Sequence, residues 1–163
     1  MTPSIRSSRR VVRRKKRCGT TIVEVAFTLP IFLIFIFGVV EFGRLQMVSN
    51  LLSSACRTAA RQGALEGIST EAVRERVEQV MRAVIDVSNL TIIVKSADAH
   101  DQGGPSPTTA TQYSAMPNVE LLEASPSELF LVRASVEYSD ISFVPFSILY
   151  GAVLTGHTYM RHE

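Results

Sequence analysis

Ile22-Val23-Glu24-Val25-Ala26-Phe27-Thr28-Leu29-Pro30-Ile31-Phe32-Leu33-Ile34-Phe35-Ile36-Phe37-Gly38-Val39-Val40 is an almost wholly apolar run that carries a single carboxylate, Glu24. From Thr20 to Val40 the segment has 21 residues. As a helix that length extends about 31 Å at about 1.5 Å per residue, close to a hydrocarbon thickness of about 30 Å. Pro30 removes one backbone hydrogen bond and bends the helix, which membrane helices tolerate better than soluble ones. A carboxylate near the centre of a span costs about 2.5 kcal/mol or more and less near an end, so Glu24 asks for a partner.

Working outward, the run is preceded by Cys18-Gly19-Thr20 and, before that, by eight positive charges between Arg6 and Arg17 with no acid among them. The rest of the chain holds the other nine of the seventeen basic residues against all fifteen acids, a net of −6. A basic head on an acidic body predicts two environments, one on each side of a membrane, with the amino terminus in the cytoplasm and the rest outside. A nucleic-acid-binding arm is the competing reading of a basic run, but here the apolar segment abuts it directly. A cleaved secretory signal fits the head, and Ser8-Arg9-Arg10 hints at a twin-arginine signal. No small-x-small cleavage site follows Val40, however, and Glu41-Phe42-Gly43-Arg44 comes instead. Glu41 and Arg44 stand at i,i+3 and can pair at the membrane surface. The sequence therefore predicts a retained anchor. Cys18 is no lipoprotein cysteine, because the apolar stretch follows it rather than precedes it. Cys18 and Cys56 flank the run, face different compartments and form no disulfide framework.

Beyond the membrane the helix continues, since no proline occurs between Ser49 and Gly67. Ala55, Ala59 and Gly63 recur at steps of four, a stripe of small side chains that lets another backbone approach, either the chain's own domain or another subunit. Ser69 or Thr70 caps a second helix. In it Val73, Val77, Val80 and Val84 keep helical spacing, and Arg74, Glu75, Glu78 and Arg82 make a solvated face. Leu90–Val94 is short and β-branched and reads as a strand. Residues 97–118, with Gly103-Gly104-Pro105, read as a mobile loop. Phe130 to Tyr138 alternates as a half-buried antiparallel strand does. Val144–Val153 is too short to span and reads as a loop on the domain or the membrane surface. Leu154–Arg161 offers a third strand. The expected fold class is α+β. A basic leader occupies 1–19, a transmembrane helix 20–41 and its continuation 42–66, followed by a small domain at 67–163 with a second helix and about three antiparallel strands.

No catalytic or metal constellation emerges. His157 and His162 are five apart and fall on opposite faces of a strand, which is poor geometry for a shared metal. The chain lacks a phosphate-binding glycine loop and a nucleophile elbow. It is read as a non-enzyme with no cofactor, no small-molecule substrate and no nucleic-acid partner.

Gly19-Thr20-Thr21-Ile22-Val23-Glu24, the Leu29-Pro30 pair and Gly38-Val39-Val40-Glu41-Phe42-Gly43-Arg44 together resemble the TadE-like proteins, minor pseudopilins of the tight-adherence (Tad, Flp-type) pilus. The likeness runs on through Ala55-Cys56-Arg57-Thr58-Ala59-Ala60-Arg61, is strongest over 17–64, and returns in Met160-Arg161-His162-Glu163. Val25 departs from the pattern, standing where such proteins usually carry an aromatic residue. The resemblance implies cleavage between Gly19 and Thr20 by an inner-membrane prepilin peptidase, leaving 144 of the 163 residues. It further implies a single-pass inner-membrane protein that meets other pilins and pseudopilins, with a role in adhesion or secretion-type machinery. A side-chain-free Gly19 suits a peptidase that grips extended backbone. The new amine on Thr20 lies one helical turn from Glu24 and is a natural partner for its carboxylate during assembly. An uncleaved single-span anchor carrying a periplasmic binding module is the alternative.

Overall fold

The computed structural model describes residues 18–142 and 151–163, the first three by main chain alone. The basic run and the apolar stretch at 143–150 lie outside the described residues. The chain divides into a unit that ends at Phe37 and a unit formed by Gly38–Glu163.

Helix α1, Cys18–Gly63, contributes to both units. Residues 21–37 are exposed throughout, Phe27 at 74% and Ile31 at 70% among them, so this part buries nothing within its own unit. By length and composition the helix is fit to cross a membrane, and the sequence is compatible with a single-pass protein. Within the run the Thr28 hydroxyl donates to the Glu24 carbonyl at 2.8 Å, which satisfies the hydroxyl within the helix itself. Pro30 is part of the helix.

In the second unit α1 changes character. Val48, Leu52, Ala55, Cys56, Ala59 and Ala60 are fully buried and form one side of the core. Helix α2, Thr70–Met81, supplies Val73, Val77 and Met81 to the same core at the expected spacing. Ser69 is its N-cap, its hydroxyl accepting from the Ala72 N–H at 3.3 Å. Thr70 ties this end to the chain across from it: its hydroxyl donates to the Val119 carbonyl and accepts from the Leu121 N–H, both at 3.0 Å.

Strands β1 (Thr91–Ser96), β2 (Leu129–Glu137) and β3 (Val153–Arg161) form one antiparallel sheet in the order β1-β2-β3. Phe130, Val132, Ala134 and Val136 of β2 and Val94 of β1 face the helices. The α+β expectation therefore holds, with a long apolar helix, a second helix and three antiparallel strands.

Several boundaries differ from the sequence reading: β2 and β3 each start one residue earlier than expected, β2 ends at Glu137, and Val84 falls past the end of α2. Helix α1 ends at Gly63 rather than near 66, and Gly67 sits in the following turn with φ +78°, a conformation that suits glycine. Strand β1 starts one residue later than expected and runs two further. The stretch 97–118, read as a loop, contains two short helices, α3 (Asp98–Asp101) and α4 (Ala110–Ala115). Gln112 nucleates α4 by accepting from the N–H groups of Thr108 at 2.8 Å and Thr109 at 3.1 Å. The apolar reason is Tyr113, which is buried with Ala97 and Leu131 on the sheet face turned away from α1. The sheet is thus covered on both sides, by α1 and α2 on one and by the 97–118 segment on the other.

Candidate assembly site

The Gly19–Thr20 bond lies within α1, two residues after the basic run ends at Arg17. Glu24 follows on the same helix and is exposed. It lines a shallow groove with Thr21, Val25, Thr28, Leu29 and Phe32. Apart from the carboxylate and two hydroxyls, that surface is hydrocarbon.

Glu41 and Arg44 were placed by the sequence at a membrane boundary. Glu41 is only 3% exposed within the Gly38–Glu163 unit, and its Oε1 has no hydrogen-bond partner among the described residues. Arg44 is half-buried and holds a partner of its own. An acid at i and a base at i+3 gave no sign of this, because the sequence does not show that position 41 lies on the helix face turned inward.

Ala55 and Ala59 are fully buried, and Gly63 is buried beside them. A Cβ added at Gly63 would lie 2.6 Å from Val73 Cγ2 and 2.9 Å from Leu121 Cδ1. The small-residue stripe therefore packs on the chain's own domain. The sequence left that choice open; the structure makes it.

One close approach escaped the sequence reading. A Cβ at Gly156 of β3 would stand 2.5 Å from the carbonyl carbon of Leu52 and 2.5 Å from the amide nitrogen of Ser53. Gly156 pairs with Ala134 of β2, and the Cys56 thiol donates to the Gly156 carbonyl at 3.4 Å. Ala134, Gly156 and Cys56 together let helix and sheet meet nearly backbone to backbone. A glycine inside an otherwise regular strand is the signal that would have found it. Burial pushes the Cys56 thiol, which lies well past the apolar run, up to about 11. It is a packing group with little thiolate character.

The opposite sheet face carries the other polar grouping. The Arg133 guanidinium lies 4.0 Å over the Tyr113 ring. The His157 ring is 6.1 Å from Tyr113 and 6.2 Å from Tyr159, and His100 is 5.6 Å from Tyr159. Arg161 Nη2 meets Asp101 Oδ1 at 2.5 Å. Burial, followed by the neighbouring Tyr113, raises the Tyr159 phenol. His157 is exposed and His162 buried, on opposite sides of the sheet. Among the described residues no three His, Cys, Asp or Glu side chains converge in a way that would hold a metal ion.

Residues 19–61 match a family model described as TadE-like protein. No curated protein and no solved structure matches the chain. The matched stretch includes Gly19, Thr20, Glu24, Glu41, Arg44, Ala55 and Ala59, and it ends before Gly63 and before the sheet.

Proposed function

We propose that this TadE-like chain is a minor pseudopilin of a Tad-type pilus system, acting through assembly rather than catalysis. On this reading it is a single-pass protein of the bacterial inner membrane, with its amino terminus in the cytoplasm and its sheet-bearing domain in the periplasm. A prepilin peptidase removes the leader between Gly19 and Thr20, and the Thr20 amine that this frees and the Glu24 carboxylate then direct contacts with other pilins.

The observation that carries the reading is a coincidence at one place. The TadE-like match begins at Gly19, between the basic run and the apolar run, and the apolar run Ile22–Val40 holds one carboxylate, Glu24, about one helical turn after the junction. A generic anchor needs the apolar helix and a basic flank, but it needs neither a glycine at the junction nor an acid inside the span. The test is to express wild type and Gly19→Leu with and without a prepilin peptidase and compare their masses on a gel. Wild type should shorten by the leader and the variant should not. If wild type keeps its leader in the presence of the peptidase, the chain is an uncleaved anchor and the pseudopilin reading fails.

A further inference from the structure

We propose that the edge of β3 that no described residue covers is a docking site for an extended segment of a partner protein, which adds to the sheet as a fourth strand and places a carboxylate opposite His157. That the partner belongs to the pilus apparatus rests on the reading above; the edge itself does not.

The hydrogen bonds at its two ends fix which way β3 faces. Tyr138 N–H donates to the Ala152 carbonyl at 2.8 Å, and His162 N–H donates to the Glu128 carbonyl at 3.0 Å. Both are partners in the β2–β3 register carried one residue past each end of the strand. Even-numbered residues therefore point their main-chain groups at β2. Val153, Thr155, His157, Tyr159 and Arg161 point theirs away, and β3 is the last strand of the sheet. No hydrogen bond from another described residue reaches the main chain of these five. A row of alternating N–H and C=O groups at strand spacing complements one thing well, another extended backbone.

The opposite edge shows how this protein blunts a strand it does not use. Strand β1 is six residues long, its Ser96 N–H is taken by the Pro117 carbonyl at 3.0 Å, and Lys95 Nζ is held by Asn118 Oδ1 at 2.7 Å. A short strand, a proline-containing cover and a lysine are common protections against edge-to-edge pairing. Strand β3 has nine residues, no proline and no cover among the described residues. The charge pattern then selects the partner. On the outward face His157 stands in register with Arg133. Arg161 is already neutralised by Asp101, and the one acid on this face of β2, Glu137, is at the far end opposite Val153. A side chain facing His157 from an added strand lies one strand beyond Arg133, whose guanidinium rests on the Tyr113 ring and has no carboxylate partner among the described residues, so the local field favours a carboxylate there over a cation.

The experiment uses the full chain in detergent micelles, with amide exchange followed residue by residue by NMR. The probe is a nine-residue peptide of alternating Thr and Glu, with a Thr/Lys peptide as control. The Thr/Glu peptide should slow exchange at Thr155, His157 and Tyr159 by about tenfold, as nine-tenths occupancy gives, and leave the already bonded Thr158 and Met160 unchanged. His157→Pro removes an outward N–H and leaves the β2 ladder intact. It should keep the protection of Thr158 and Met160 and lose the effect of the peptide. Absence of added protection overturns the proposal. So does equal protection by the lysine peptide, or protection that rises with protein concentration without peptide, which would assign the edge to a second copy. None of these outcomes depends on leader cleavage.

Discussion

Gly156 of β3 lies against the main chain of Leu52 in α1, so close that a Cβ at position 156 would stand 2.8 Å from the Leu52 carbonyl oxygen as well as 2.5 Å from its carbonyl carbon. The neighbouring atoms are backbone, which cannot swing aside as the end of a side chain can. Strand and helix would have to separate. Gly156→Ala should therefore destabilise the folded unit by about 1–3 kcal/mol or more, as overpacking does. Thermal unfolding of the purified chain measures it, and an unchanged midpoint would show that strand and helix leave room for a methyl group.

This contact also marks the limit of what was legible in the sequence. Elements that obey one local rule were readable. Ser69 and the valine spacing announce α2, and the alternation through Phe130–Tyr138 announces β2, because each depends only on residues near in sequence. The apolar run at 22–40 announces the exposed apolar part of α1, which is long enough to cross a membrane. Relationships between distant residues were not readable. Nothing near Glu41 shows that its face turns inward, nothing near Tyr113 shows that it covers Leu131, and Gly156 meets residue 52 across about a hundred positions of chain. Ala55, Ala59 and Gly63 lie between the two cases: their spacing shows a close-packed face and says nothing of what packs there.

Ala59→Leu separates the two roles such a stripe can have. Ala59 is fully buried within the Gly38–Glu163 unit. Added methylenes should lower the stability of the domain itself by about 1–3 kcal/mol, visible as faster proteolysis of the purified chain without any partner present. A variant as protease-resistant as wild type would contradict own-domain packing.

Glu120 should make stability fall in acid. Its Oε1 accepts from the Thr70 N–H at 2.9 Å, and this hydrogen bond is the main cause that holds the carboxyl below its usual range. A carboxyl that is more acidic folded than unfolded stabilises the fold above the unfolded value, and the contribution disappears as pH falls through the folded one. Asp86, held low chiefly by the Ser88 N–H, acts in the same direction. Glu120→Ala should lower the unfolding midpoint at pH 7 and narrow the gap between pH 7 and pH 3 relative to wild type. Parallel pH curves for the two proteins would remove Glu120 from the account.

Cys56 should react slowly. It is fully buried, and burial holds its thiol near 11, so at pH 7.5 the thiolate fraction is small and access requires local opening. Alkylation of the folded chain should be far slower than in denaturant, and Cys56→Ser should run like wild type on a non-reducing gel. A covalent dimer in wild type that Cys56→Ser abolishes would show that the thiol reaches another subunit.

Glu24→Gln tests the remaining element of the assembly reading. Glu24 is exposed on an otherwise apolar surface, and its side chain has no partner among the described residues. In lipid an unpaired carboxylate is costly, whereas one that meets the Thr20 amine of a docking subunit is compensated. The competing account is that Glu24 reaches the nearby interface and needs no partner. Removing the charge lowers the cost of insertion under both accounts, so membrane levels do not discriminate between them. Recovery with partners does. At matched membrane levels, mature Glu24→Gln should co-purify with the pilin subunits less well than mature wild type, while loss of the leader at Gly19 persists. Equal recovery would make Glu24 an interfacial carboxylate with no part in docking.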